Sequence, residues 1–219
     1  MYKDYTEFNT TKCKCRDCSV GLVYNKVVQS IGNLLNPTYM LCGEAPGETE
    51  VEKGQPFCGR AGKILREKLI KYGLTMKNTV ISNTIPCRPE NNHFPTDSSL
   101  VTSCVNKWLL EEILLLKPKY LLLIGATPMR YVLGCTKKIS EVRGQEFEVL
   151  HTMTPTDFTD KFSDRYNIRI RTMCTFHPSY ILRQGTSILR EYFGELCIGE
   201  FQTFWNKIYN DMGNPALLS

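Results

Sequence analysis

The chain of 219 residues is poor in histidine, with three, and in tryptophan, with two. Each histidine is therefore worth placing, because its ring is the side chain whose ordinary titration lies near neutral pH. Long apolar runs are also missing. The two longest, Trp108 to Leu116 and Tyr120 to Gly125, are separated by Lys117-Pro118-Lys119, and neither reaches the roughly 20 residues that span a bilayer. Met1 to Lys14 is polar and carries no apolar core of the secretory kind, so a cytosolic, reducing setting is expected. No internal repeat or low-complexity tract is visible. Charge of one sign is weak, since 27 basic and 22 acidic residues leave +5, too little alone to mark a polyanion as partner. What the chain has in excess is cysteine, ten in all, and in a reducing compartment these are not expected to be disulfides. The hydrophobic share of 42% suffices for a full core in one domain.

Tyr39 to Cys42 reads as a short buried strand that runs into Gly43, and Thr79 to Ser82 as a second, ending at Asn83. Tyr120 to Ile124 is a third, with Phe147 to Leu150 and Arg169 to Thr175 further on. Between them, Gly62 to Tyr72 has apolar residues at helical spacing and stops at Gly73, Ser98 to Leu116 reads as a long helix, and Thr127-Pro128 opens another. Ile198 to Met212 reads as a C-terminal helix. Strands alternating with helices imply a parallel sheet covered on both faces. In such sheets the ligand cleft lies beyond the carboxyl ends of the strands. The segments after Cys42, Ser82, Ile124 and Phe176 should therefore converge on one edge.

Gly43-Glu44-Ala45-Pro46-Gly47 and Gly54-Gln55-Pro56-Phe57-Cys58-Gly59-Arg60-Ala61-Gly62 supply five glycines ahead of a helix. Such a stretch lets backbone N–H groups approach a ligand closely. Neither a P-loop nor a dinucleotide fingerprint is present. Phe57 at this edge could stack on a planar ring. Asn83 offers an amide donor and acceptor that complement the O4 and N3–H edge of a pyrimidine, against the plainer reading of a local backbone cap. His177, in Phe176-His177-Pro178-Ser179-Tyr180-Ile181-Leu182-Arg183, follows a strand directly and could donate to a developing oxyanion, although a lone histidine is often structural.

Cys15 and Cys18 form a C-x-x-C, and Cys87 and Cys104 bracket a proline-rich loop and the start of the long helix. Four thiolates in a reducing compartment suggest zinc or an iron–sulfur cluster, and spacing does not separate the two. Cys13 competes with Cys15 and Cys18 for two positions. Cys42, Cys58, Cys135, Cys174 and Cys197 sit in apolar or helical surroundings and read as packing residues.

Taken together, the two glycine-bearing motifs, Asn83 four residues before Cys87-Arg88-Pro89, the His177 to Arg183 stretch and the four cysteines resemble the family four, or iron–sulfur, uracil-DNA glycosylases. The Tyr120 to Gly125 strand with Ala126 and Val142-Arg143-Gly144 are similar to that family too. Pattern and resemblance together imply one domain over residues 1–219, a three-layer α/β/α fold with a central, mostly parallel four-stranded sheet, and an N-terminal segment of residues 1–38 tied in by the cluster. The resemblance implies a monofunctional DNA repair enzyme that flips uracil out of DNA, hydrolyses its glycosidic bond and leaves an abasic site. It implies that Gly43, Glu44 and Ala45 lie against the flipped base and the attacking water, that Phe57 stacks on uracil, that Asn83 reads its edge and that His177 donates to O2. Glu50 corresponds to the acid that crowds C5 and excludes thymine. Cys15, Cys18, Cys87 and Cys104 match the ligands of a [4Fe-4S] cluster, while Ser179, Ile181, Leu182 and Arg183 match the loop that enters DNA. A monomer that acts on uracil-containing DNA, in the cytoplasm, the nucleoid or a host's cytosolic or nuclear compartment, is the expectation.

The chain departs from the family pattern in three places. Glu90-Asn91-Asn92-His93 replaces a second proline and an asparagine–arginine pair, Val51 stands where an acid is usual and Cys58 where a valine is. Residues 145–176 make a long connection carrying Asp157, Asp160 and Asp164. These differences bear on DNA contacts and substrate range. The alternatives are a DNA-binding protein of this fold without turnover and a glycosylase for another modified pyrimidine.

Overall fold

The structure, a computed structural model, describes residues 2–150 and 169–183. The expected helix over Ile198 to Met212, the three aspartates of the long connection and Cys197 lie outside the described residues. Six strands form one sheet in the order β1-β3-β2-β4-β6-β5. They are β1 (Ile31–Gly32), β2 (Tyr39–Gly43), β3 (Thr79–Asn83), β4 (Tyr120–Ile124), β5 (Glu146–Leu150) and β6 (Arg169–Thr175). The inner four, β3, β2, β4 and β6, run parallel. Antiparallel strands β1 and β5 extend them at the two edges, so the expected four-stranded sheet is six-stranded. The edge strand β1 is only two residues long, too short to leave an alternating pattern in the sequence.

The four parallel strands are nearly continuous apolar runs because both of their faces are buried. Period-two alternation divides their residues between two cores. Met40, Cys42, Val80, Leu121, Leu123 and Cys174 pack on one face with Val101, Val105, Leu109 and Ile113. Tyr39, Leu41, Ile81, Tyr120, Leu122 and Met173 pack on the other with Leu65 and Leu69. The first face is covered by a continuous helical stretch, α5 (Ser98–Cys104), a π-helical segment over Val105–Leu110 and α6 (Glu111–Leu116), joined by α7 (Ala126–Leu133). The second is covered by α4 (Arg60–Lys71). Asp97 caps the long helix by accepting N–H bonds from Ser99 at 2.9 Å and Leu100 at 3.3 Å, and Lys117 ends it in a left-handed turn before Pro118.

Several short helices stand where no pattern predicted them. They are α1 (Tyr5–Cys13), α2 (Ser19–Val23), α3 (Glu48–Lys53), α8 (Ile139–Val142) and α9 (Pro178–Leu182). Of these, α1 buries Phe8 and Lys12, one turn apart, so its inward face is half charged and evades hydropathy. Lys12 Nζ donates to Glu112 Oε2 at 3.0 Å, with both side chains buried. Tyr5 donates to Glu112 Oε1 at 2.6 Å, and Ser82 to Oε2 at 2.7 Å. No helix among the described residues is long and apolar enough to cross a membrane.

Parallel register brings the carboxyl ends of the inner strands to one edge. Gly43 pairs with Asn83, and Ile124 with Thr175. The segments that follow β2, β3, β4 and β6 therefore meet there, as the strand order requires.

Candidate active site

At that edge lies a cleft of about 290 Å³, at the small end of ligand pockets and suited to one small ring. Glu44, Ala45, Glu50, Phe57, Asn83, His177, Ser179 and Arg183 all line it. Three separate loops thus contribute to one cavity.

Gly43, at the end of β2, lies against both Phe57 and Asn83. A Cβ at that position would stand 2.4 Å from Phe57 Cζ and 2.6 Å from Asn83 Oδ1, so only glycine lets the ring and the amide rest on the same backbone. Phe57 has φ 51°, a left-handed conformation that is costly for a bulky residue and persists only where its surroundings fix it. Arg66 on α4 donates from Nε to the Phe57 carbonyl at 3.0 Å and from Nη2 to the Pro56 carbonyl at 3.1 Å. Glu50 Oε1 accepts the N–H groups of Cys58 at 2.9 Å and Gly59 at 2.7 Å, and its Oε2 accepts that of Gly47 at 3.2 Å. Both Glu50 oxygens are therefore engaged in holding the glycine-rich loop closed around Phe57. Gly62 makes room on the third side, since a Cβ there would lie 1.9 Å from the Phe57 carbonyl oxygen. The Phe57 ring faces the His177 ring with centroids 5.7 Å apart and planes inclined by 33°.

The hydrogen bonds of His177 assign its tautomer. Nδ1 accepts the backbone N–H of Ser179 at 3.2 Å and meets Ser179 Oγ at 2.8 Å. A nitrogen that accepts an N–H bears no proton, so the neutral ring carries its proton on Nε2. Arg183 Nη1 donates to Ser179 Oγ at 3.2 Å, which leaves the hydroxyl hydrogen for Nδ1. Burial pushes the imidazole down to about 4, the Arg183 charge pushes the same way and Glu50 opposes them. Near neutral pH the ring is an uncharged donor. Asn83 is buried at the end of β3. Glu44 is partly buried, and its Oε2 accepts from Thr127 Oγ1 at 2.5 Å. Ser179, Ile181 and Leu182 all lie within α9.

The four cysteines come together beside this edge. Cys87 bridges Val27 and is buried, and its Sγ would stand 3.8 Å from a Cβ on Gly21 in the middle of α2. Burial pushes the Cys87 thiol up to about 12, with the thiols of Cys15 and Cys18 adding to the rise. Cys104, at the end of α5, is pushed up to about 12 by burial and then by Cys87, Cys18 and Cys15. Cys13 points elsewhere and accepts from Gln29 Nε2. Among the described residues no group of three or more His, Cys, Asp or Glu side chains converges tightly enough for one metal ion.

Sequence reasoning missed the placement of five residues here. Arg66 falls within the stretch read as a helix over Gly62 to Tyr72 and carries no role there, yet it turns inward to the Phe57 loop. Arg88 lies over the Tyr24 ring at 4.7 Å, pairs with Glu48 at 3.3 Å and donates from Nε to Asn92 Oδ1 at 3.1 Å. Asn91 and Asn92 both have positive φ, at 52° and 59°, and Asn92 lines the cleft. An Asn-Asn pair in a loop is a signal for left-handed backbone that could have located this turn. Thr127 is marked in the sequence only as part of the Thr127-Pro128 helix start.

A profile of the Uracil DNA glycosylase superfamily matches residues 29–207. Among curated proteins the chain is 33% identical to a Type-4 uracil-DNA glycosylase of Thermotoga maritima over 178 residues, 81% of this chain and 82% of the relative. It is 29% identical to one of Archaeoglobus fulgidus, covering 84% of this chain and 88% of the relative. It is 31% identical to one of Pyrobaculum aerophilum, covering 66% and 68%.

Proposed function

The chain belongs to the uracil DNA glycosylase superfamily, and on that footing we propose that it hydrolyses the N-glycosidic bond of uracil in DNA by base flipping and leaves an abasic site for repair. The observation that carries this reading is the convergence of Phe57, Asn83, His177 and Glu44 on one cleft of single-ring size. Departure of uracil leaves an oxocarbenium-like sugar and a uracil anion. The chemistry asks for a donor at the developing O2 charge and a water near C1′, and for no covalent nucleophile. A neutral His177 with its proton on Nε2 is such a donor. Removing one donor of this kind typically costs about 2.7–4 kcal/mol of transition-state stabilisation.

The remaining roles follow from position. Phe57 supplies the stacking surface that offsets a few kcal/mol of unstacking, and the Asn83 amide reads the O4 and N3–H edge. Glu44 holds the attacking water. Glu50 shapes the wall beside C5 through the loop it closes, in keeping with thymine exclusion. Ser179, Ile181, Leu182 and Arg183 meet the DNA where the base leaves, and Gly43 and Ala45 provide the backbone against the base.

Cys15, Cys18, Cys87 and Cys104 would hold a [4Fe-4S] cluster. Four neighbouring thiols suit it, because a buried cation group relieves the mutual repulsion of thiolates. The choice of a multi-iron group over zinc rests on the likeness to the Type-4 uracil-DNA glycosylases. When bound, such a cluster contributes structure, since hydrolysis transfers no electrons. It would pin the N-terminal segment to the Cys87 loop. The orientation of Cys13 toward Gln29 supports Cys15 as the ligand.

The test is incubation of the cluster-bearing protein with single- and double-stranded oligonucleotides containing uracil, followed by alkaline cleavage. Strand scission at uracil is expected. No scission would overturn the proposal, and scission at hypoxanthine or a modified pyrimidine in preference to uracil would reassign the base.

A further inference from the structure

Four loops meet at the sheet edge that holds the cleft, but only those after β2, β3 and β6 line it. The segment after β4 contributes nothing to it by sequence. In the structure Gly125 turns this segment at φ 107° beside His177, whose Cβ would lie 3.3 Å from a Cβ on the glycine. Two residues later, on the first turn of α7, Thr127 Oγ1 donates to Glu44 Oε2 at 2.5 Å, across 83 positions of sequence. That length falls in the range of a hydroxyl bonded to an ionised carboxylate. A threonine has one O–H to give, and within helices it commonly returns that hydrogen to a backbone carbonyl one turn back. Here it crosses between the β2 and β4 loops instead.

We infer that Thr127 is a positioning residue for the reaction, one that fixes the Glu44 carboxylate so that its other oxygen can orient the attacking water. The inference rests on the glycosylase reading and on the role of Glu44 in it. A glutamate on a glycine-flanked loop has several rotamers, and a water held by a mobile carboxylate is held in many orientations. The β-branched Thr127 has few rotamers of its own, and its backbone is set by the helix beneath it. Pinning one carboxylate oxygen from this rigid element removes that freedom before substrate arrives. Displacement of a reacting group by about 1 Å can cost a hundredfold in rate, so the effect belongs in the chemical step and not in DNA affinity.

The experiment compares single-turnover excision by wild-type protein, Thr127→Val and Thr127→Ser on a uracil oligonucleotide, each also built on Glu44→Ala. Thr127→Val keeps the shape and loses the donor. It is expected to slow excision about 10- to 100-fold, as loss of a hydrogen bond to a charged group does. Apparent DNA affinity and melting temperature should stay close to wild type, and Thr127→Ser should restore most of the rate. On the Glu44→Ala background, Thr127→Val should have little further effect, because its partner is gone. An equal loss on both backgrounds, a loss that follows a fall in melting temperature, or full activity of Thr127→Val would overturn the assignment while leaving the glycosylase reading intact. Inactive wild-type protein would overturn the glycosylase reading itself, and this assignment with it.

Discussion

At the scale of single residues, the site is a set of side chains whose chemistry is fixed by neighbours that do not themselves react. His177 is neutral because burial and Arg183 disfavour its charge, and its proton sits on Nε2 because Ser179 occupies Nδ1. Its folded value of about 4 lies below the usual histidine range. The unfolded chain therefore takes up a proton first as pH falls, and the associated stability, full above about 6.5, is lost toward 4. The ring is expected not to titrate between pH 5 and pH 8 when followed by NMR, with His177→Asn used to assign its signal among the three histidines. A midpoint near 6.5 would contradict the arrangement. The cleft residues Glu44, Phe57, Asn83 and His177 could be read in the sequence because each ends or closely follows a strand or sits in a glycine-rich motif. Their supporters could not. Arg66, Thr127 and Arg88 act through contacts between distant segments, and nothing local distinguishes an arginine that caps a loop carbonyl from one facing solvent.

At the scale of elements, the parallel strands were legible within a residue or two, since continuous apolar runs bounded by glycine, asparagine or proline leave little choice. The edge strand β1 and helices α1 and α3 were not. Two residues cannot show a period, α3 is short and rich in acids, and α1 turns a lysine inward. That inward lysine is the part of α1 with the largest consequence. Burial alone would push the Glu112 carboxyl up, but the Lys12 charge and the hydroxyls of Ser30, Tyr5 and Ser82 outweigh it and hold it below the usual carboxylate range. The stability this contributes is present above the ordinary carboxylate pKa and is lost as pH falls through the lowered one. Lys12→Met should cost about 3–5 kcal/mol in chemical denaturation, because it strands a buried carboxylate. Lys12→Met with Glu112→Leu should recover much of that loss. A single variant as stable as wild type would show that the pair is not what fastens α1. Since Ser82 precedes Asn83 and donates to Glu112, this fastening also anchors the end of the strand that brings Asn83 to the cleft.

At the scale of the whole molecule, two centres share one edge of the sheet. The cysteine group gathers α2, the Cys87 loop and the end of α5, while the cleft gathers the loops after β2, β3 and β6. Arg88 connects them, since it follows Cys87 directly and reaches Tyr24, Glu48 and Asn92 at once. A structural cluster would in this way hold the rim of the cleft as well as the N-terminal segment. Cys15→Ser is expected to abolish the broad visible absorption and the roughly four irons of such a cluster, and to lower the melting temperature, whereas Cys13→Ser should keep both. The reverse result would exchange the two assignments. The modest charge of +5 also gains a local meaning, because Arg66 and Arg88 are occupied with protein groups. Arg183, at the cleft, remains exposed.

The most direct measurement of the central claim is the amount of free uracil released from uracil-containing DNA, set against the abasic sites formed. One uracil is expected for each abasic site, with DNA left free of protein on a denaturing gel and with Asn83→Asp all but inactive, because its carboxylate would repel O4. DNA bound without uracil release, protein retained covalently on the strand, or undiminished release by Asn83→Asp would contradict it.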